Sequence, residues 1–325
     1  MDEILNRFRN ENNCSEEMIQ ILSNIMIACV NVLGEQYIDR ILETFKSFNI
    51  YEYENVEEAG KISIQFFNNG KEYRYKTIAT GGGITEDEYY LDNNGELKQK
   101  YIILISKGEY TESKIQIIIH EICHILSSIN AYKLDGNVIT AKSGVSSCSF
   151  EFNNQMKSPN LLTNENELYN EIITENLAAQ IMDAYNPEIA HTPIAYAGYA
   201  NSILRLFRSN EMNHIFIDDY LNNTTYHYEV FNNIFTNEDI QISLNSFITE
   251  EDLKHPLIKD YIEKVRQMSP NEFFNSYRFY LNNFKYPPKH LDWESFKRIK
   301  QINKILVSYL GERLNLKKDL QGESL

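Results

Sequence analysis

Nothing constrains this chain more than the stretch from Thr111 to Ile129, TESKIQIIIHEICHILSSI, which carries His120, Glu121 and His124 in the order H-E-x-x-H. Residues four apart lie one turn apart on the same side of an α-helix, so both imidazoles can reach one ion. Glu121 then falls at the edge of that face, where it can hold a water at the ion and take its proton. Ile115, Ile118, Ile122 and Leu126 fall on the opposite side, while Thr111 suits the N-cap and Glu112 the first turn. A helix apolar behind and histidine-bearing in front belongs in a core, lining a cleft. The five-letter pattern also arises by accident on polar surface helices, so a third ligand has to be sought.

The segment 164–185, NENELYNEIITENLAAQIMDAY, offers one. As a helix its apolar arc is Leu168, Ile172, Ala178, Ala179 and Met182, and Glu171 and Glu175 fall inside that arc. Two inward carboxylates one turn apart require a cation or strong donors. An ion held by His120 and His124 answers that need, with Glu171 as its third ligand. Glu175 is then placed to accept the second N–H of a histidine. Glu167, at the edge of the arc, is the weaker alternative. Three protein ligands leave one position open, the arrangement of catalytic rather than structural zinc sites, so one Zn2+ per chain is expected.

The remainder of the chain bounds this reading. At 325 residues it is long enough to bury a large core. Its net charge of -15 argues against nucleic acid or an anionic membrane as the main partner. Cys14, Cys29, Cys123 and Cys148 form no CxxC pair and read as reduced thiols of a cytoplasmic protein. The polar N-terminus is no secretory signal, and the apolar run Ile25 to Leu33 is too short to span a bilayer.

Three segments are expected: an N-terminal helical part (1–50), an α+β part with a small antiparallel sheet and the H-E-x-x-H helix (51–160), and a helical part (161–325). In the first, helices run from Ser15 to Val32 and over Tyr37 to Phe45. In the second, hairpins form around Asn69-Gly70, Asn94-Gly95 and Asp135-Gly136, with Tyr101 to Ser106 a buried strand. Thr80-Gly81-Gly82-Gly83 lacks the residues of a phosphate loop and reads as a connection, and Lys157 to Asn164 reads as a loop. Helices are expected over 165–185, 193–208, 236–247, 250–267, 270–283 and 292–313.

HEICH followed by NEIITE resembles the gluzincin metallopeptidases, whose signature is H-E-x-x-H with a Glu on a later helix. Thermolysin-like members carry N-E-x-x-x-D there, and Asn170, Glu171 and Glu175 are similar with Glu in place of Asp. The longer gap between His124 and Glu171 is more like that of bacterial toxin-type zinc proteases. The resemblance covers about 100–200. It implies a zincin-like core and a zinc metallopeptidase, an endopeptidase in type, acting on peptide or protein substrates. His120, His124 and Glu171 would bind zinc, and Glu121 would be the general base. It implies further that an edge strand before the metal helix holds the substrate backbone, a place Tyr101 to Ser106 occupies. Such enzymes stabilise the oxyanion with a Tyr, His or Arg. Tyr196, Tyr199 and His191, in HTPIAYAGYA, are the nearest candidates. The alternative is a catalytically inactive zincin-fold protein serving in binding or regulation.

Overall fold

The computed structural model describes residues 2–12, 14–67, 83–152, 161–165, 167–188, 210–224, 226, 236–269, 272–273 and 286–321. These form an α+β protein whose contacts divide it into two compact units, Met1–Tyr196 with Ile217–Thr224, and Ala197–Phe216 with Thr225–Leu325.

The first unit opens with α1 (Asp2–Glu11), α2 (Glu16–Leu33) and α3 (Ile38–Ser47). Ser15 caps α2 by accepting from the Met18 N–H, and Gly34, at φ 90°, ends it. Helix α2 is long and apolar enough to cross a membrane, and half of its residues are buried in the protein. Its buried residues include Leu22, Ile25, Met26 and Cys29.

Strand β1 (Phe48–Tyr53) follows α3 directly, and helix α4 (Val56–Phe67) follows β1. Here the structure corrects the sequence reading, which places a strand over 61–67. Ile62, Ile64 and Phe66 alternate as in a strand, but Ala59, Ile62, Phe66 and Phe67 also fit the helical period, and Ile64 is exposed. Local capping favours the helix: the Glu58 N–H donates to the Asn55 side chain, and the Glu58 carboxylate accepts from the Glu54 N–H. The partner strand proposed beyond Asn69-Gly70 lies outside the described residues.

Strands β2 (Gly83–Leu91) and β3 (Leu97–Ser106) form the hairpin expected around Asn94-Gly95, with Gly95 at φ 78°. The three-stranded sheet has the order β1-β3-β2, with β1 parallel and β2 antiparallel to β3. Tyr101 to Ser106 is therefore the centre of the sheet and not its edge, a second correction. Its run of residues buried on both faces is what a central strand requires. One face of the sheet packs Ile102, Leu104 and Ile84 against Ala59 and Phe67 of α4. The opposite face meets α5 (Glu112–Ser128).

After α5, strands β4 (Tyr132–Asp135), β5 (Val138–Ser143), β6 (Ser146–Glu151) and β7 (Leu161–Glu165) make a second, wholly antiparallel sheet in chain order. It holds more strands than the one hairpin expected, and β7, but for Glu165, lies inside the segment read as a loop. Tyr89 of the first sheet stacks on Tyr132 and Phe150 of the second, ring centroids 5.3 and 5.4 Å apart. Helix α6 (Glu167–Tyr185) then packs on α2 and α5, so it belongs with the first unit and not with the later helices. Helix α7 (Asn210–Asn222) follows, and its last residues, from Ile217, also belong to this unit.

In the second unit, α8 (Asn237–Phe247), α9 (Glu250–Lys254), α10 (Pro256–Gln267) and α11 (Trp293–Gln321) pack around Ile240, Leu244, Ile262 and Ile299. The helix expected over 250–267 is broken at His255, because Pro256 starts a new helix at its N1 position. The segments 193–208 and 274–285 lie outside the described residues.

Candidate metal centre

Helix α5 is held at both ends before any ligand is considered. Thr111 accepts from the Lys114 N–H at the N-terminus. Towards the C-terminus side chains donate to its carbonyls, including those of Leu126 and Ser127, which lose their helical partners. Tyr220 donates to the Cys123 carbonyl (3.1 Å), Ser128 to that of His124 (2.8 Å), Arg40 to that of Leu126 (2.6 Å) and Asn223 to that of Ser127 (2.7 Å). The helix is also buried more completely than a two-faced pattern suggests, since Ile119, Cys123 and Ile125 are enclosed along with the four residues of the expected apolar face. A surface accident is thereby excluded.

Helices α5 and α6 pair their polar residues in opposite chain directions. Gln116 meets Glu175, His120 meets both Glu175 and Glu171, and His124 meets Glu171. The helices therefore run antiparallel, and the i, i+4 spacing of each brings its polar groups into register with the other's. The β5–β6 turn closes on this crossing: Gly144, at φ 58°, leaves no room for a side chain beside Asn170 and Tyr220, and the Val145 N–H donates to Asn170 Oδ1 at 3.1 Å.

His120, His124 and Glu171 form a group that could hold a metal ion, their donor atoms all within 4.8 Å of one another. Nε2 of His120 lies 3.1 Å from Nε2 of His124 and 3.3 Å from Oε2 of Glu171. Nε2 of His124 lies 3.5 Å from Glu171 Oε1. An ion bound tetrahedrally through bonds of about 2.0–2.1 Å separates its ligand atoms by about 3.3–3.4 Å. The two imidazole nitrogens stand close to that spacing, and each has one oxygen of the Glu171 carboxylate near it, a donor set that fits such an ion.

Glu175 is almost fully buried and places Oε2 2.7 Å from His120 Nδ1, on the side of the ring away from Nε2. That contact fixes the ring's orientation and favours the tautomer that leaves Nε2 free to ligate. Burial pushes the His120 imidazole towards its neutral form, but hydrogen bonds to Glu171 and Glu175, with the Glu121 charge, lift its pKa to about 10. Burial likewise raises Glu171, yet the His124 and His120 imidazoles hold its carboxyl well below the usual range.

Glu121 is buried between α5 and the start of β2. Its Cγ would stand 3.5 Å from a Cβ at Gly83, and Thr85 Oγ1 donates to the Glu121 carbonyl at 3.1 Å. A side chain at Gly83 would meet Ile117 at 2.6 Å, so glycine is what lets this strand approach the metal helix. The edge strand beside Glu121 is thus β2, and among the described residues no strand pairs with its outer side.

Compared with protein-family models, curated proteins and solved structures, the chain matches none. The site consequently rests on its own geometry. Tyr196, Tyr199 and His191 lie outside the described residues. Glu167 lies on α6, one turn before Glu171, and its side chain falls outside the described ones. Sequence reasoning missed Gln116, whose signal was a lone amide one turn ahead of His120 in a run of isoleucines. It also missed Tyr220, buried with its hydroxyl 2.6 Å from Thr174 Oγ1, which no local pattern marks.

Proposed function

We propose that this chain is a zinc-dependent metallopeptidase with a zincin-like core, cleaving peptide bonds in peptide or protein substrates. The observation that carries the reading is the cluster of His120, His124 and Glu171, their donor atoms within 4.8 Å of one another, beside a buried Glu121. Two imidazoles and a carboxylate are the ligand chemistry of catalytic zinc, and three of them leave the fourth position open.

Zinc, when bound, supplies a Lewis acid that acidifies a water and polarises the scissile carbonyl. Glu121 takes the proton of the attacking water and passes it to the leaving amine. Glu175 holds His120 in its ligating tautomer. The outer side of β2, next to Glu121, accepts the substrate backbone as an added strand, the part that Tyr101 to Ser106 cannot play from the middle of the sheet.

Two variants test this. Wild-type protein should carry about one zinc per chain by mass spectrometry, and Glu171→Ala should lose it. Glu121→Gln should keep the metal and lose turnover of a peptide library by at least about a hundredfold. Peptidase activity surviving in Glu121→Gln would overturn the mechanism. Wild-type protein that hydrolyses no peptide while holding zinc would favour a binding role instead.

A further inference from the structure

The polar ladder between α5 and α6 has one more rung than the metal requires. Gln116 lies one turn before His120, is 3% exposed, and donates its side-chain amide to Glu175 Oε1 at 3.3 Å. Glu175, 2% exposed, turns its other oxygen to His120 Nδ1 at 2.7 Å. The charge of a carboxylate is poorly solvated at that depth, and its last torsion is soft, so each donor it receives helps to set its orientation. The Gln116 amide on the second oxygen steadies that torsion and disperses the charge without adding a cation that would compete for it.

We propose that Gln116 is a positioning residue for the metal site, acting on His120 through Glu175. The inference rests on the zinc reading given above. The amide must donate through Nε2 for the relay to work, which leaves its carbonyl facing away from Glu175. Its place on the same helix as both histidines keeps the relay in register with the ligands, since any rotation of α5 moves all three rungs together.

The test is a double-mutant cycle on the full chain, read as zinc affinity in competition with a chromogenic chelator. Gln116→Met keeps length and packing but removes the donor, and it should weaken zinc binding about tenfold. In the Glu175→Gln background the same substitution should change affinity less than about twofold, because the group it acts through is already altered. Gln116→Glu, which keeps the length and turns donor into acceptor, should weaken binding at least as much as Gln116→Met. Melting of the metal-free variants by circular dichroism identifies loss of fold. Should Gln116→Met melt early, Gln116→Glu carries the same cycle. Unchanged affinity in both single variants, or an equal loss with and without Glu175→Gln, overturns the proposal while leaving the zinc site standing. A wild-type chain that binds no zinc overturns both.

Discussion

Asp252 and Glu171 are both carboxylates drawn largely out of water, one in each unit, and the chain meets their charge differently. Asp252 caps α9 through Thr249 and receives a two-point bond from Arg298, Nε to Oδ1 at 2.6 Å and Nη2 to Oδ2 at 2.7 Å. Its countercharge is a guanidinium that never loses its proton in water. Among the described residues Glu171 faces His120 and His124 at 3.3 and 3.5 Å, and imidazoles carry positive charge conditionally. A carboxylate closed by arginine is finished structure. One closed by two imidazoles can exchange their protons for a metal ion, and this difference separates a fold contact from a site.

The largest effect that sharpens the contrast is metal-linked stability. Zinc at about a hundred times its dissociation constant should stabilise the first unit by about 2.7 kcal/mol. Denaturant unfolding with zinc, and again with a chelator, measures the gap. Glu171→Gln should abolish it, whereas Asp252→Ala should leave it intact. Loss of the zinc effect in Asp252→Ala would break the comparison.

Next in size is the Asp252 contact itself. Asp252→Ala removes a helix cap and strands Arg298, and it should cost the second unit about 2–3 kcal/mol. The chain's single tryptophan, Trp293, lies in this unit at the start of α11, so its fluorescence follows the transition. A cost under about 0.5 kcal/mol would mean that the ion pair is ornamental, as most exposed pairs are.

How far the sequence carries these assignments depends on whether the needed partner is local. H-E-x-x-H is a one-helix pattern, so His120, Glu121 and His124 could be placed together from spacing alone. Glu171 and Glu175 were legible because two acids inside an apolar arc make physical sense only with a positive partner. The edge strand was not legible, because that role depends on how many strands flank β3. β1 follows α3 with no glycine or proline to mark it, and its pairing with β3 spans about fifty residues. The helix at 56–67 was missed for another reason: its apolar residues satisfy two periods at once, and the cap at Asn55 decides between them. In the second unit the sequence shows helices but not the Asp252–Arg298 bond, since its partners lie 46 residues apart.

The contrast has a pH signature of smaller size. Hydrogen bonds from Arg298 and from Thr249 hold the Asp252 carboxyl well below the usual carboxylate range. A group whose folded pKa is depressed binds fewer protons folded than unfolded, so its stabilisation is complete above the unfolded value of about 4. That stabilisation drains as the pH falls through the gap towards the folded value. Trp293-monitored stability should therefore show no contribution from Asp252 to its slope between pH 5 and pH 7, and a fall below about pH 4. Asp252→Asn should flatten that acid limb.

The smallest predicted effect is the control on this reasoning. Lys264 and Asp260 sit one turn apart on α10, with Nζ 2.8 Å from Oδ2, nearly as close as the Arg298 bond but with both side chains half exposed. Lys264→Ala should change stability by less than about 0.5 kcal/mol, because water screens the pair and ordering a long side chain offsets the attraction. If it cost as much as Asp252→Ala, distance and not burial would be setting the strength of these contacts. The distinction drawn between Asp252 and Glu171 would then have to be rebuilt on geometry alone.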